Sequence, residues 1–489
     1  MSASPTYLEV AVAAPLPQTL TYALPTSGEI PIPGQRVLVP LGKRLLTGYV
    51  LALTDEKPEF RLKRVTEILD AFPVFPEELV PFFRWVARYY HYPIGEVIRG
   101  ALPGGLTSQS GRQLKLTEAG RQYFLTEQPQ LALDYPWLAN LTVNKKLTAA
   151  TVRKLWRGKE RRLIEQWGEQ GLLSVEQIIS GASIGQKTET CVLLGDEALA
   201  PEALARLKPS ETKTLALLEV LLPDSTQALP RRELTKAYSG AAKALTSLAA
   251  QGIIRLTERP VYRDPFGETP LFYPRPAHLT ADQENALAQL NPAIAQKKYA
   301  AFLLHGVTGS GKTEVYLQAA ETTLALGRSV LVLVPEIALA TQLEAHFLSR
   351  FGETVALLHS GLARGERFDQ WQRVVSGKAR IVIGARSAIF APLGDPGLII
   401  VDEEHDGAYK QEDSLRYQGR DLALLRGSQG GATVLLGSAT PSLISYQHAL
   451  SGKYTLLSLP IRIENRPLPQ VELVDLQAVN TVSGRPPLF

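Results

Sequence analysis

Two short stretches carry residue types that handle a nucleoside triphosphate. The first, GVTGSGKT from Gly306 to Thr313, fits the G-x-x-x-x-G-K-[ST] pattern. Gly306, Gly309 and Gly311, with Ser310 between them, let backbone N–H groups curl around phosphates without Cβ clashes. A helix beginning near Lys312 points its positive dipole end at the same place. Lys312 supplies a point charge to the β- and γ-phosphates, and the Thr313 hydroxyl can ligate Mg²⁺. ATP and Mg²⁺ are therefore the expected cofactors. The second stretch, LIIVDEEH, is an apolar run that ends in carboxylates. Asp402 suits the Mg²⁺ shell, and Glu403 suits the group that orients and deprotonates an attacking water. His405 has no second histidine at ligand spacing and reads as a polar relay near the γ-phosphate. Upstream, Gln283 in LTADQENAL carries an amide able to make paired hydrogen bonds to adenine.

These residues need elements to hold them. AFLLH runs into the glycine loop, a helix follows from Lys312, and SVLVLV, VALLH, ARIVIG, LIIVDEEH and TVLLGSAT supply further short apolar strands. The β-α-β-α order predicts a parallel sheet with helices on both faces, whose ligands sit at the C-terminal strand edge. This lobe is expected over residues 278–460, with 461–489 beginning a connection beyond it. Residues 1–105 read as a β-rich domain of alternating and β-branched strands, closed by a helix over Pro76–Tyr90. Residues 111–200 and 204–262 turn helical and contain a weak repeat. LIEQWGEQGLLSV (163–175) resembles ALTSLAAQGIIRL (244–256), each a helix, a glycine stop and a short strand. That is the pattern of a winged helix, with a plain helical spacer as the alternative. A basic run from Lys145 to Arg162 fits a phosphate-binding face or a solvated one. RDPFGETPLFYPRPAH (263–278) reads as a linker. The expected fold is multidomain α/β.

Composition limits the partners. Net charge is only +4, so a nucleic-acid surface must be local. The single cysteine, Cys191, rules out an internal disulfide and a cysteine-based zinc site, and suits a reducing compartment. No signal peptide or membrane-length apolar run is present, so the chain is expected to be soluble and cytoplasmic.

DEEH, Gln283 and GSAT (Gly437–Thr440) together resemble a superfamily-two DNA helicase. LPQTLTYALP, YYHYPIGEVIRGALP, GVTGSGKTEVY, LVPEIALATQ, LHSGLARGER, IVIGARSAIFAPL, VDEEHDGAYKQEDSLRYQGRDLA and LGSATPS narrow the resemblance to the PriA family of replication-restart helicases, and it covers nearly the whole chain. The resemblance implies a β-rich N-terminal DNA-binding domain, a winged-helix-like region and a RecA-like P-loop ATPase lobe. It also implies an ATP-dependent 3′→5′ helicase that recognises stalled forks and restarts replication through primosome assembly. Forked and single-stranded DNA, other primosome proteins, single-stranded DNA-binding protein, and the replicative helicase with its loader are the implied partners.

By position, the resemblance assigns Pro335, Glu336, Thr341, Gly384, Arg386 and Ser387 to the path of the DNA strand. Ser438 and Thr440, with His405, would couple hydrolysis to movement. Tyr409, Lys410, Arg416 and Tyr417 match an aromatic-rich loop whose rings and guanidinium can stack on unpaired bases. Tyr22, Gly34 and Lys63 match the pocket for a DNA 3′ end, with Thr21 where the family can use an acid, and Lys43 and Arg44 could meet phosphate. The family's cysteine-rich zinc region, second motor lobe and arginine finger find no counterpart in these residues. The resemblance thus implies the N-terminal part of a longer protein or a truncated product, able to bind DNA and nucleotide but to unwind poorly or not at all. An ATPase-deficient fork-binding scaffold is the alternative. A restriction-type translocase is a third, without a nuclease constellation to support it.

Overall fold

The computed structural model describes residues 7–42, 44–55, 62–104, 106, 109–143, 147–180, 188–194, 207–221, 228–263, 273–335 and 337–463. Lys43, Lys145, Lys146, Glu336 and the stretch 464–489 lie outside the described residues.

The N-terminal sheet is antiparallel. Strands β1 (Tyr7–Val12), β2 (Leu20–Ala23), β3 (Arg36–Leu41), β4 (Arg44–Thr54) and β5 (Glu67–Ile68) run in the order β2-β1-β4-β3-β5. Leu8, Val10, Val37, Val39 and Val50 fill its core. Two helices, Val80–Tyr89 and Ile94–Ala101, follow; Pro at the first turn of the former has no helical N–H bond to lose.

Both members of the sequence repeat fold alike. The helix Arg161–Glu169 stops before Gly171 at φ +70° and leads into β7 (Leu173–Ser180), which pairs antiparallel with β6 (Gln109–Leu116). The helix Ala241–Ala250 stops before Gly252 at φ +75° and leads into β10 (Ile254–Pro260), paired with β8 (Thr188–Leu194) beside β9 (Leu229–Pro230). Each unit has its own core, around Phe124, Leu138 and Trp167 in one and Leu218, Leu234 and Leu245 in the other.

The motor sheet comprises β11 (Ala300–Gly306), β12 (Ser329–Leu333), β13 (Val355–Leu358), β14 (Ile381–Gly384), β15 (Pro396–Val401), β16 (Thr433–Ser438) and β17 (Thr455–Leu459). All pairs are parallel, in the order β13-β14-β12-β15-β16-β11-β17. β15 is buried along its whole length, as a strand covered on both faces must be. One apolar cluster lies under each face, and one of them continues into the N-terminal domain.

That shared cluster joins the two ends of the chain. Phe390 of the motor stacks on Phe83 (centroids 6.2 Å apart, 23°), lies 5.9 Å from Phe82 and meets Tyr417 edge-on at 5.3 Å. Trp371 Nε1 donates to the Val74 carbonyl at 2.6 Å. Arg426 is buried below Phe82 and donates to the carbonyls of Ile389, Ala391 and Leu393; burial pushes its guanidinium down to about 10. Phe390→Ala should cost about 3–5 kcal/mol, the usual cost of removing a buried aromatic. Denaturant unfolding tests this, and a loss below about 1 kcal/mol would show the contact to be incidental.

Glu344, on the helix Ile337–Phe351, is buried with Oε1 unpartnered, and burial lifts its carboxyl to about 7. A raised carboxylate binds more protons folded than unfolded, so its contribution falls as pH rises from the unfolded range through about 7. Glu344→Gln should flatten that decline and raise stability at pH 8 by a few kcal/mol. Equal pH sensitivity of the two chains in denaturation experiments would refute the assignment.

Candidate nucleotide and DNA sites

Three loops converge because β15, β16 and β11 are neighbours. The glycine loop leaves β11, DEEH leaves β15, and GSAT closes β16. Gly309 and Gly311 sit at φ +82° and +83°, where an L side chain is strained. A Cβ on Gly311 would also lie 2.3 Å from Gln283 Nε2. Lys312 Nζ donates to the Gly306 carbonyl at 2.9 Å and lies 3.8 Å from Glu403 Oε1. Ser310 Oγ is buried without a hydrogen-bond partner. Glycines at positive φ, an orphaned hydroxyl and a lysine at one helix start fit a triphosphate. Thr313 opens the same helix, Lys312–Ala325, and Asp402 follows β15, so the residues at hand fit Mg²⁺ as well.

The backbone of DEEH explains the poise of Glu403. Asp402 N donates to Leu333 O at 2.9 Å on one side, and Glu404 N donates to Gly437 O at 3.0 Å on the other. Glu403, held between two fixed amides, adopts φ +44°. Such strain in a non-glycine residue costs about 1–3 kcal/mol and persists where surroundings impose it. In this conformation the Glu403 carboxylate lies near Lys312 and 3.6 Å from His405 Nδ1. His405 Nδ1 also meets Ser438 Oγ at 2.8 Å, its Nε2 lies 3.4 Å from Thr440 Oγ1, and Thr440 N donates to Ser438 Oγ at 3.0 Å. His405, Ser438 and Thr440 thus form one hydrogen-bonded chain beside Glu403.

Asp402 is held in a drier setting. Burial pushes its carboxyl up, opposed by the hydrogen bond that Tyr316 donates to Oδ1 at 2.9 Å. Glu404, unremarked in the sequence, is buried completely. It accepts from Ser442 N at 2.7 Å, Ser442 Oγ at 3.1 Å, Ser445 Oγ at 2.8 Å and Arg420 Nη1 at 3.0 Å. Its sequence signal is a third acid in a strand-end cluster followed at a distance by serines after GSAT, which only the fold brings together.

Several expected roles change. Gln283 is buried with its amide already engaged: Oε1 accepts from Thr280 N at 2.9 Å, and Nε2 donates to the Ser310 and Gly311 carbonyls at 3.3 Å each. It braces the glycine loop here rather than presenting an edge to adenine. Tyr409 is fully buried, its hydroxyl donating to the carbonyls of Asp402 (2.6 Å) and Leu333 (3.0 Å), and Tyr417 is buried against Phe390. Neither ring presents a face to a base, which corrects the stacking expectation for both. Lys410 and Arg416 are exposed, with Lys410 paired to Glu412 at 3.2 Å and Arg416 Nε donating to Glu412 O at 3.0 Å. Arg386 donates to the carbonyls of Ala408 (2.9 Å) and Lys410, tying the strand-path motif to this hairpin.

In the N-terminal domain, Tyr22 is a core residue whose hydroxyl donates to Pro40 O at 3.2 Å, and burial pushes it up to about 12. Lys63 is exposed beside it, its Nζ donating to Gly42 O at 3.2 Å. Gly34 precedes β3 while Pro40 lies at its far end, about 20 Å away at ~3.3 Å per residue. Gly34 therefore stands apart from the other two, and its lack of a side chain serves contact with Phe75, whose carbonyl a Cβ would meet at 2.0 Å. Thr21 faces Glu9 across β1–β2, so an acid does stand there, on the neighbouring strand. Glu9 accepts from Thr19 at 2.8 Å and pairs with Arg84 at 2.7 Å.

A parallel P-loop sheet with these three strand-end motifs defines a helicase motor lobe. The DEAD/DEAH box helicase family model matches residues 280–448, and that of the 3′DNA-binding domain (3′BD) matches residues 9–103. The chain is a relative of the replication restart protein PriA over most of its length. It is 34% identical to that protein of Bacillus subtilis (91% of this chain, 54% of the relative), 35% to that of Synechocystis sp. (96% and 56%) and 32% to that of Haemophilus influenzae (98% and 55%). It spans about half the length of these relatives. No helix among the described residues is long and apolar enough to cross a membrane.

Glu404→Ala should leave the Ser442 amide without its acceptor and Arg420 with only Asp421 and Ser442 Oγ, at a cost of about 1–3 kcal/mol, the penalty of unsatisfied buried donors. Denaturant unfolding checks this, and a neutral result would mean that Glu404 does not hold GSAT to DEEH.

Proposed function

We propose that this chain supplies the DNA-binding and first motor portions of an ATP-dependent 3′→5′ DNA helicase that recognises stalled forks and restarts replication. The observation that carries the reading is the meeting of glycine loop, DEEH and GSAT on three adjacent strands, in a motor whose core continues into the 3′DNA-binding domain. Gly306–Thr313 would hold the triphosphate, and Thr313 with Asp402 would hold Mg²⁺. Mg²⁺ when bound neutralises phosphate charge. Glu403 would take a proton from the attacking water. His405, Ser438 and Thr440 would pass the change to the strand path at Arg386.

The proposed ligands are forked and single-stranded DNA. The protein partners we propose are other primosome proteins, single-stranded DNA-binding protein, and the replicative helicase and its loader. The reading places the chain in the cytoplasm at the nucleoid. Exposed Lys410, Arg416 and Lys63 are the proposed DNA contacts, acting on phosphate without reading sequence. Tyr22 and Gly34 would shape the N-terminal domain rather than touch DNA.

Lys312→Ala should weaken nucleotide binding by about 10–100-fold, the loss expected for a charge-assisted contact, and leave binding to forked DNA unchanged. Titration with a fluorescent ATP analogue, and with a labelled fork, measures both. Unchanged nucleotide affinity would overturn the site, and unchanged fork processing would favour a DNA-binding scaffold over a motor.

A further inference from the structure

The residue closing GVTGSGKTEVY lies deeper than any phosphate contact. Tyr316 is on the helix Lys312–Ala325, four residues after Lys312 and three after Thr313, and so shares their helix face. It is 1% exposed. Its hydroxyl donates to Asp402 Oδ1 at 2.9 Å. The same oxygen lies against Gly437, where a Cβ would come within 1.7 Å of it. One hydroxyl thus touches DEEH and GSAT from the glycine-loop helix.

Packing alone would ask only for the ring, which phenylalanine supplies at nearly equal volume. A buried hydroxyl is costly unless paired, and this one is paired to the carboxylate proposed to hold Mg²⁺. We infer that Tyr316 is a positioning residue for Asp402, and that its hydroxyl sets how readily the nucleotide site takes up Mg²⁺. The inference rests on the proposed role of Asp402. With Oδ1 held by Tyr316, the orientation of the carboxylate is restricted. Without the hydroxyl, Asp402 loses its buried side-chain donor and is less firmly oriented.

The test uses the full chain and binding rather than turnover. Affinity for a fluorescent ATP analogue is measured in chelator and across a Mg²⁺ titration, with thermal melting as a control. Tyr316→Phe should match the parent in chelator but need about 10–100-fold more Mg²⁺ for half its effect, the usual loss when an outer partner of a metal ligand is removed. Gly437→Ala sets a Cβ 1.7 Å from the hydroxyl and 2.8 Å from ring carbon Cζ, so it displaces the tyrosine from Asp402 and should shift the Mg²⁺ curve the same way, which keeps the test open if Tyr316→Phe melts early. In an Asp402→Ala background Tyr316→Phe should add nothing, because a shared function is non-additive. A Mg²⁺-responsive parent with an unshifted Tyr316→Phe curve would overturn the inference alone. A parent indifferent to Mg²⁺ would overturn the Asp402 assignment, and the inference with it.

Discussion

The side-by-side packing of β15, β16 and β11 is the constraint on which the rest depends. Parallel strands deliver their C-terminal loops to one edge, and neighbouring strands deliver them within side-chain reach. Glycine loop, DEEH and GSAT are far apart in the chain yet meet here because their strands are hydrogen-bonded neighbours. The ladder also fixes register. Leu436 sits opposite Val401, so Asp402 leaves β15 level with Gly437. A shift of one residue would turn Glu403 away from Lys312.

Buried polar contacts then hold each loop in place. Tyr316 and Tyr409 secure the side chain and the backbone of Asp402. Glu404 fastens the start of the helix Leu443–Leu450 through Ser442 and Ser445. Gln283 ties the glycine loop to a helix start that it also caps. None of these groups need touch a ligand. Each is buried, so each would be costly if unpaired, and the cheapest arrangement is the one with all contacts made. The strained Glu403 is tolerated because its neighbours on both sides are fixed by backbone bonds.

The motor's strands, glycine loop and carboxylates were legible in the sequence because they follow local rules: apolar runs, a glycine pattern, acids at a strand end. Both helix–glycine–strand units were legible for the same reason. Roles set by distant contacts were not. Tyr409 and Tyr417 lie in a polar, charged stretch and read as exposed, but Leu333, Asp402 and Phe390 bury them. Gln283 reads as a free amide until the glycine loop folds onto it. Gly34 and Tyr22 look like neighbours in one pocket until β3 separates them. Glu9 could not be recognised as the acid beside Thr21 without the β1–β2 register.

The two buried tyrosines also join distant parts of the molecule. The hairpin carrying Lys410 and Arg416 is closed by Gln411 N donating to Tyr417 O at 2.8 Å, and Gln418 N donates to Tyr90 Oη at 3.4 Å. Tyr417 packs on Phe390, and Phe390 packs on Phe82 and Phe83 of the N-terminal helix. At its other side the hairpin is held through Tyr409 to the backbone of Asp402. Exposed Lys410 and Arg416 thus stand on a hairpin tied to the backbone of Asp402 on one side and to the N-terminal helices on the other. Close-packed interiors transmit displacement rather than absorb it. A shift at either end must therefore move the hairpin or break a buried contact.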